Sequence, residues 1–333
     1  MTSDWEQPGA HRVADGVYRI PLPLPDAGLR AVNTYLLELP GGTALVDAGW
    51  AGQESLDALT SAMRSIGHRP EDVERVLVTH AHRDHYTHAV GLRRAYGVRL
   101  SLGRGEERSL QHIRSGRPGA TAERLRAGGA ADIAETWAAR AGRQDPAEWE
   151  DPDLWLDGDR DLCVGERRLR ALQTPGHTAG HYVFADPASR LLFAGDHVLP
   201  RITPSIGFEP VPARQPLGDF LDSLEKVAAL PDMMLLPAHG APTASVHERV
   251  HELVAHHHGR LALCLEAVES GCRTALDVAE GIPWTGRGRR LQDLGHFDAG
   301  LAVVETLIHL ELLVERGRVT CRTVAGVKEF HPR

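Results

Sequence analysis

Four side chains that bind divalent metals fall within six positions of one short segment. Residues 79–85 read Thr-His-Ala-His-Arg-Asp-His and contain His80, His82, Asp84 and His85. Neutral imidazoles and a carboxylate that face a divalent cation avoid the repulsion and desolvation that four buried ionised groups would suffer. His80 and His82 can point the same way, whereas Asp84 and His85 turn toward a second point. We interpret the segment as a metal-ligand cluster; the alternative is a solvated polar loop that happens to hold three histidines.

Three more segments place a histidine or an aspartate just beyond the end of a predicted strand, after one or more small or turn-forming residues. His177 lies in Thr-Pro-Gly-His, Asp196 follows the strand 191–194, and His239 follows the strand 233–236. A lone histidine after a strand is more often a satisfied polar residue than a ligand. The repetition of the arrangement favours one distributed site, because strand ends that meet at one edge commonly carry functional side chains.

The elements predicted around these residues are the strands and helices of a layered α/β fold. The apolar strand 76–78 leads into the loop 79–85, with a helix over 55–66 before it and a helix over 89–96 after it. Asp47 ends a further strand, where an unpaired charge is costly. It either caps the following turn or supports the site, and the local pattern does not decide between the two.

Composition favours a soluble protein that does not bind nucleic acid. The chain has 333 residues and a net charge of -8, which argues against a surface that neutralises phosphates. The 19 histidines, several of them in clusters, point to metal instead. The N-terminal residues do not resemble a signal peptide, no stretch approaches 18 apolar residues, and the four cysteines lack C-x-x-C spacing. We predict a cytoplasmic protein with free thiols and no membrane partner.

Two regions depart from the strand and helix pattern. The segment from about 104 to 160 carries weakly amphipathic helical stretches and predicts a helical lid inserted over the site, the alternative being a surface excursion. It contains Trp137, Trp149 and Trp155, which would supply contact area for a substrate if they face the cleft.

The C-terminal region, residues 243–333, predicts three helices followed by a strand at 319–324. This combination resembles a winged-helix module, so we divide the chain into a domain over 1–242 and a winged-helix-like domain over 243–333. Charge in this region is nearly balanced, which favours packing beside the site or homodimerisation over DNA binding. The triple histidine at 256–258 lies within one helix, where successive residues face different directions, and we interpret it as a solvated or partly packed face.

The ordered ligand set resembles the metallo-β-lactamase superfamily over roughly the first 240 residues. The resemblance implies an αββα sandwich with a two-metal cleft at one edge of its sheets. It also implies that Asp47, as the strand-end aspartate of the family, supports the metal loop. The implied metal ligands are His80, His82 and His177 for one ion, Asp84, His85 and His239 for the second, and Asp196 as the bridge between the two.

The chemistry that this resemblance implies is hydrolysis. Histidine and carboxylate ligands suit two zinc ions and also accommodate iron or manganese. Two ions about 3.5–4 Å apart can share a water and lower its pKa toward 7, so that it attacks an ester or thioester carbonyl. Asp196 would bridge the ions and Asp84 would move a proton to the leaving group. The sequence has no Gly-x-Ser-x-Gly motif and no cysteine nucleophile motif that would support a competing mechanism.

The substrate class follows only from features of a subgroup. Residues 195–204 and the C-terminal region look like the subgroup that contains the human β-lactamase-like protein 2, which includes thioesterases for carrier-bound polyketides and a single-strand ribonuclease. Many relatives, glyoxalase II among them, carry a glycine pair shortly after the Asp-His pair. Here Tyr86, Thr87 and His88 follow it, and we predict bulkier groups at the cleft entrance that disfavour a glutathione thioester.

The leading hypothesis is therefore a hydrolase of acyl-CoA or carrier-protein thioesters or of small-molecule esters. The main competing hypothesis is an endoribonuclease that contacts phosphates through Arg287, Arg289 and Arg290. A lactonase and a non-catalytic scaffold are two further hypotheses.

Overall fold

Two β-sheets and a C-terminal hairpin contain all the strands of the computed structural model, which describes residues 4–25, 29–140, 145–284 and 288–333. The first sheet has seven strands in sequence order. They are β1 His11–Ala14, β2 Val17–Pro23, β3 Ala31–Leu39, β4 Gly42–Val46, β5 Val73–Leu77, β6 Arg99–Gly103 and β7 Leu154–Leu156. Strands β1 to β4 are antiparallel, as the predicted meander requires, and β4 to β7 are parallel.

The second sheet has five strands in the order β12, β11, β10, β9, β8. They are β8 Arg160–Val164, β9 Arg167–Gln173, β10 Tyr182–Asp186, β11 Leu191–Gly195 and β12 Met234–Pro237. Only β11 and β12 run parallel in this sheet. The hairpin consists of β13 Val319–Val324 and β14 Val327–Pro332.

Helices connect the strands along the chain, and several of them pack on the outer faces of the two sheets. The helices are α1 Gln53–Ser65, α2 Arg83–Tyr96, α3 Glu107–Arg114, α4 Thr121–Ala127, α5 Ala131–Arg140, α6 Pro216–Ala228, α7 Val246–Glu269, α8 Ala275–Gly281 and α9 His296–Glu315. Among the described residues, none of these helices combines the length and the apolar character needed to cross a membrane.

Three apolar cores hold the layers together. Leu37 of the first sheet and Phe193 of the second are buried between the two sheets. Met63 of α1 and Tyr86 of α2 are buried against the outer face of the first sheet, and Phe220 of α6 against the outer face of the second. Each such side chain contributes about 1.5–3 kcal/mol by leaving water. The predicted αββα sandwich is confirmed.

Helix α2 begins six residues earlier than predicted. It starts at Arg83 with His82 as its N-cap, so Asp84 and His85 lie in its first turn. The start of the helix was predicted from the spacing of apolar residues, and this first turn consists largely of polar residues that give no such spacing. A carboxylate in the first turn also interacts favourably with the free N–H groups of the helix. The ligand segment is therefore half loop and half helix.

The predicted lid is shorter than the range 104–160. The strands β7 and β8 begin at Leu154 and Arg160, so the last helical turn of the segment ends at Glu148. Helix α3 belongs to the apolar core beside α2, whereas α4 and α5 contact α9. The insertion thus packs on both sides of the sandwich, and its role as a lid stays a prediction.

The C-terminal region contains the three predicted helices, α7 to α9, and the hairpin. Its apolar residues, such as Leu253 and Leu307, share one core with Leu192 of the second sheet. The winged-helix assignment and the boundary at residue 242 stay predictions. The cysteines are free, as predicted.

The histidine run 256–258 is partly packed, as predicted. His257 is fully buried and its Nδ1 lies 3.2 Å from Nε2 of His309, whereas His256 and His258 are exposed. Glu305 also approaches His256 and His257, with ligand atoms within 4.8 Å of one another. Burial and then the neighbouring charges, Arg260 among them, lower the pKa of both histidines. The positive charge of Arg260 disfavours a cation between α7 and α9 at His256, His257 and Glu305.

Candidate metal centre

The predicted ligands all follow the ends of strands at one edge of the sandwich. The loop and helix start at 79–85 follow β5, His177 follows β9, Asp196 follows β11 and His239 follows β12. Parallel pairing of β11 with β12 in register brings the last two of these ends side by side. The structure brings all seven predicted ligands together in two adjacent groups.

The first group consists of three histidines whose inner nitrogens nearly touch. The Nε2 of His80 lies 2.9 Å from Nδ1 of His82. The Nε2 of His177 lies 3.0 Å from the same His82 nitrogen and 3.3 Å from Nε2 of His80. Three imidazole nitrogens at this spacing can bind one cation from three sides.

The second group consists of Asp84, His85 and His239. The Nε2 of His239 lies 3.3 Å from Oδ2 of Asp84, and Nε2 of His85 lies 3.7 Å from the same oxygen. Both histidines are buried, whereas the Asp84 side chain keeps 20% of its surface exposed. The group offers two nitrogens and one oxygen to a second cation.

Asp196 lies between the two groups and directs one oxygen to each. Its Oδ2 lies 3.5 Å from Nε2 of His177 in the first group. Its Oδ1 lies 3.5 Å from Nε2 of His239 and 3.7 Å from Nε2 of His85 in the second group. This is the geometry that a bridging carboxylate requires.

The outer nitrogens of two histidines are held by backbone carbonyls. The Nδ1 of His177 donates to the carbonyl oxygen of Ser205 at 2.6 Å, and Nδ1 of His239 donates to that of Ala31 at 2.9 Å. Because a carbonyl only accepts, the proton of each ring sits on Nδ1. The lone pair of each Nε2 therefore faces the cluster, as a metal ligand requires.

Asp47 holds the metal loop from outside the cluster. Its carboxylate accepts a hydrogen bond from the backbone N–H of Thr79 at 2.8 Å and contacts Nδ1 of His85 at 2.8 Å. The residue has a φ of 59°, in the left-handed region that aspartate tolerates better than most residues. The contacts of Asp47 thus reach the ligand loop and favour the second of the two alternatives, and its role in supporting a metal site stays a prediction.

Two features of the cluster bear on divalent cations: buried ligand atoms without hydrogen-bond partners, and the pKa values of its histidines. The Nε2 of His85 and Oδ1 of Asp196 are buried without a hydrogen-bond partner among the described residues. Such an unpaired buried atom costs about 1–3 kcal/mol, and a cation would satisfy both. Burial and then neighbouring histidines lower the pKa of His80 far below its usual value and that of His82 to about 3. These low pKa values keep the two rings of the first group neutral. In the second group the nearby aspartates outweigh burial and raise the pKa of His85 to about 10 and that of His239 above its usual value, so a cation there would replace a proton.

His181 is part of the site although the sequence pattern did not single it out. Its Nε2 accepts a hydrogen bond from the backbone N–H of Asp196 at 3.2 Å, so its Nδ1 carries the proton and donates to Oγ1 of Thr174 at 2.9 Å. Its ring also stacks on His80 at a centroid distance of 5.1 Å. The only sequence signal was a second histidine four residues after His177.

The prediction for Tyr86, Thr87 and His88 is wrong. All three are buried, and none of them stands at the cleft entrance. Because α2 begins at residue 83, these positions turn inward: Tyr86 stacks on Trp149, and His88 bonds the carbonyl oxygen of Ala48 through Nδ1 at 2.8 Å. These three residues therefore do not disfavour a glutathione thioester.

The predicted tryptophans also have different surroundings. Trp149 is buried beside α2 rather than in the cleft, and Trp155 on β7 lies near the guanidinium of Arg104. Trp137 on α5 instead stacks on Phe297 of α9 at 5.0 Å and lies 5.6 Å from Phe208. Only this last tryptophan belongs to an aromatic group with an exposed member.

The sandwich and its histidine and aspartate centre define a class of metal-dependent hydrolases. Residues 27–239 match the model of the metallo-beta-lactamase superfamily, and the chain belongs to that superfamily. The family and the cluster together support a hydrolase that uses divalent metal ions.

Named relatives and solved structures agree with this assignment. The chain is 29% identical to the lactamase-like protein aptB of Emericella nidulans over 70% of its own length and 59% of that protein. It is 34% identical to the lactamase-like protein nscB of Trichophyton rubrum, but that match spans only 31% of the relative's length. A beta-lactamase-like protein 2 homolog of Caenorhabditis elegans is 24% identical over 78% of this chain and 74% of that protein. The predicted family resemblance is confirmed.

The solved structures extend the similarity to nearly the whole chain. The superposition on a metallo-beta-lactamase family protein of Thermus thermophilus covers 97% of this chain and 100% of the other, with 29% identity and a TM-score of 0.74. A beta-lactamase domain protein of Burkholderia ambifaria covers 97% of this chain and 95% of its own, with 26% identity and a TM-score of 0.77. The C-terminal helices therefore belong to an architecture shared with other members of the superfamily.

Proposed function

We propose that the chain hydrolyses ester or thioester bonds with two divalent metal ions, and that acyl-CoA or carrier-protein thioesters are its substrates. The observation that carries the proposal is the placement of Asp196, which directs one carboxylate oxygen to each ligand group. Two adjacent cation sites that share a carboxylate suit the activation of water against a carbonyl. Zinc fits the histidine-rich ligand set best, and iron or manganese would also fit.

The residues have distinct parts in this reaction. When bound, the metal ions would polarise the substrate carbonyl and lower the pKa of a water. The water oxygen forms a bond to the acyl carbon and the carbon–sulfur or carbon–oxygen bond breaks; one proton of the water passes to the leaving group and the other to solvent. Asp84 would pass the first of these protons through the oxygen that does not face His239, because its side chain is the more exposed of the two aspartates.

A surface formed by three aromatic side chains favours a substrate with an apolar acyl group. Trp137, Phe208 and Phe297 contact one another, and the Phe297 side chain is 61% exposed. Phe208 lies three residues after Ser205, whose carbonyl oxygen holds His177. An apolar chain attached to a carbonyl at the metal centre would have aromatic contact area nearby.

The ribonuclease hypothesis has less support. The guanidinium groups of Arg289 and Arg290 bind the backbone carbonyls of Asp293 and Gly281, so both side chains are tied to their own loop. Arg287 lies outside the described residues. The net charge of -8 also disfavours a polyanionic substrate.

The substrate class is tested by assaying a panel of candidate substrates with protein whose metal content has been measured. Acyl-CoA and acyl-carrier thioesters, simple esters, lactones and single-stranded RNA are assayed with the wild type and with Asp196→Ala. We expect turnover of thioesters or esters that the variant lacks. Cleavage of RNA alone, abolished in Asp196→Ala, would contradict the proposal and favour the nuclease. A fully metallated protein that turns over no compound of the panel would favour the scaffold.

A further inference from the structure

Glu106 is a buried carboxylate next to the metal centre that belongs to neither ligand group. It lies in the turn after β6 and is 1% exposed. The chain reaches this position because glycines allow two backbones to touch. A Cβ on Gly103 would collide with the carbonyl oxygen of Gly180, and a Cβ on Gly105 with that of Ala179. The turn therefore packs directly on the loop that carries His177.

The carboxylate of Glu106 connects two ligand loops. The hydroxyl of Thr178 donates a hydrogen bond to its Oε1, and the backbone N–H groups of Ala81 and Gly180 also donate to the carboxylate. Ala81 lies between His80 and His82, and Thr178 follows His177. One side chain thus holds the loops that supply all three histidines of the first group.

A second buried carboxyl group holds the His177 loop from the other side. The Oε2 of Glu209 accepts a hydrogen bond from the backbone N–H of Ala179 at 2.9 Å, and the residue is 1% exposed. Burial raises the pKa of Glu106 to about 7, and burial together with Glu106 raises that of Glu209 to about 8. With one proton present, the two groups do not repel each other as a pair of anions.

We propose that Glu106 is the positioning residue of the site formed by His80, His82 and His177. The proposal depends on the proposed metal centre, and it identifies the side chain that fixes the relative positions of the three histidines of the first group. The three histidine nitrogens lie within 3.3 Å of one another although they come from two loops. Loss of the Glu106 bonds would let those loops separate while leaving Asp84, His85 and His239 in place.

The test compares the affinities of the two ions in Glu106→Gln and in the wild type. A chromophoric chelator competes for zinc, and His82→Ala and His239→Ala identify which affinity belongs to which group. We expect Glu106→Gln to weaken the ion of the His82 group by about tenfold, as outer hydrogen-bond partners of metal ligands commonly do, and to leave the other ion unchanged. Glu107→Gln, at the partly exposed neighbouring position, is the control and should retain both affinities.

A second, smaller change keeps the test interpretable if Glu106→Gln does not fold. Thr178→Ala removes a single hydroxyl from the same cluster, and circular dichroism of both metal-free variants reports the fold. We expect Thr178→Ala to weaken the same ion by a few-fold. Unchanged zinc affinities in both folded variants overturn the role of Glu106 and leave the proposed function standing. A wild type that binds no zinc overturns the metal centre itself, and this inference with it.

Discussion

The Oδ2 of Asp47 lies 2.8 Å from Nδ1 of His85, and the same carboxylate accepts the backbone N–H of Thr79. This pair joins the end of β4 to the first turn of α2. It directs Nε2 of His85 toward Asp84 and Asp196, where that nitrogen has no other partner among the described residues. A strand-end carboxylate thus sets the orientation of one candidate metal ligand.

Replacement of Asp47 should weaken metal binding without removing a ligand. Asp47→Asn keeps the shape of the side chain but loses the charge that orients His85. We expect an affinity for the second ion that is about 10–100-fold lower, because outer partners of ligating histidines commonly have effects of this size. Chelator competition measures it, with Asp57→Asn on the exposed face of α1 as the control. Equal affinities in Asp47→Asn and the wild type would show that the contact is dispensable.

The histidine pair between α7 and α9 should make the protein sensitive to acid. Burial lowers the pKa of His257 strongly and that of His309 to about 3, with Arg260 adding to both shifts. Glu305 is the acidic group beside them. Around and below a pH of about 6.5 the unfolded chain binds more protons than the folded one, so the free energy of unfolding falls as pH falls, with a slope that approaches about 1.4 kcal/mol per unit for each histidine near pH 5.

This acid sensitivity is measured by urea unfolding between pH 7 and 5. His257→Gln removes one titrating group, and we expect the mean slope of unfolding free energy against pH over this range to decrease by about 1 kcal/mol per unit relative to the wild type. His258→Gln, at the exposed neighbouring position, should leave the slope unchanged. The account of the buried pair fails if both variants have the wild-type slope.

The sequence was sufficient to locate the candidate ligands near strand ends, and its resemblance to the superfamily was sufficient for the sandwich. The strands that end at Val46, Leu77, Gln173, Gly195 and Pro237 each carry a histidine or an aspartate within four residues of their ends, and such ends converge in a layered sheet. The direction of Tyr86 was predicted incorrectly because the start of α2 was placed six residues late. Residues 83–88 were assigned to the loop, whereas in the helix, which turns about 100° per residue, Tyr86 points into the core beside Trp149.

Other site residues depend on contacts that no local pattern encodes. Glu106 is separated from Thr178 by 72 residues, and the two meet only because Gly103, Gly105 and Gly180 let two backbones touch. His181 likewise acts through the backbone N–H of Asp196, which belongs to another strand end. Packing over long sequence distances decides both roles, so they emerge from the structure.

The aromatic surface should affect long substrates more than short ones. Phe297→Ala removes the exposed ring that stacks on Trp137. Loss of one aromatic contact of about 1 kcal/mol should raise KM for a long-chain acyl thioester by about fivefold, with kcat and the KM of acetyl thioester unchanged. Leu154→Ala, which removes a comparably exposed apolar side chain on β7, is the control. Equal effects on long and short chains would exclude this surface from acyl binding.

The most direct test of the central claim is the number of metal ions bound per chain. Inductively coupled plasma mass spectrometry of zinc-loaded, dialysed protein should give two ions for the wild type. Asp196→Ala should lose at least one of them together with hydrolysis, because its oxygens face both ligand groups. Asp222→Ala, at an exposed position on α6, should retain both ions. A wild type with no bound ion, or an Asp196→Ala variant that keeps two ions and full turnover, would contradict the account.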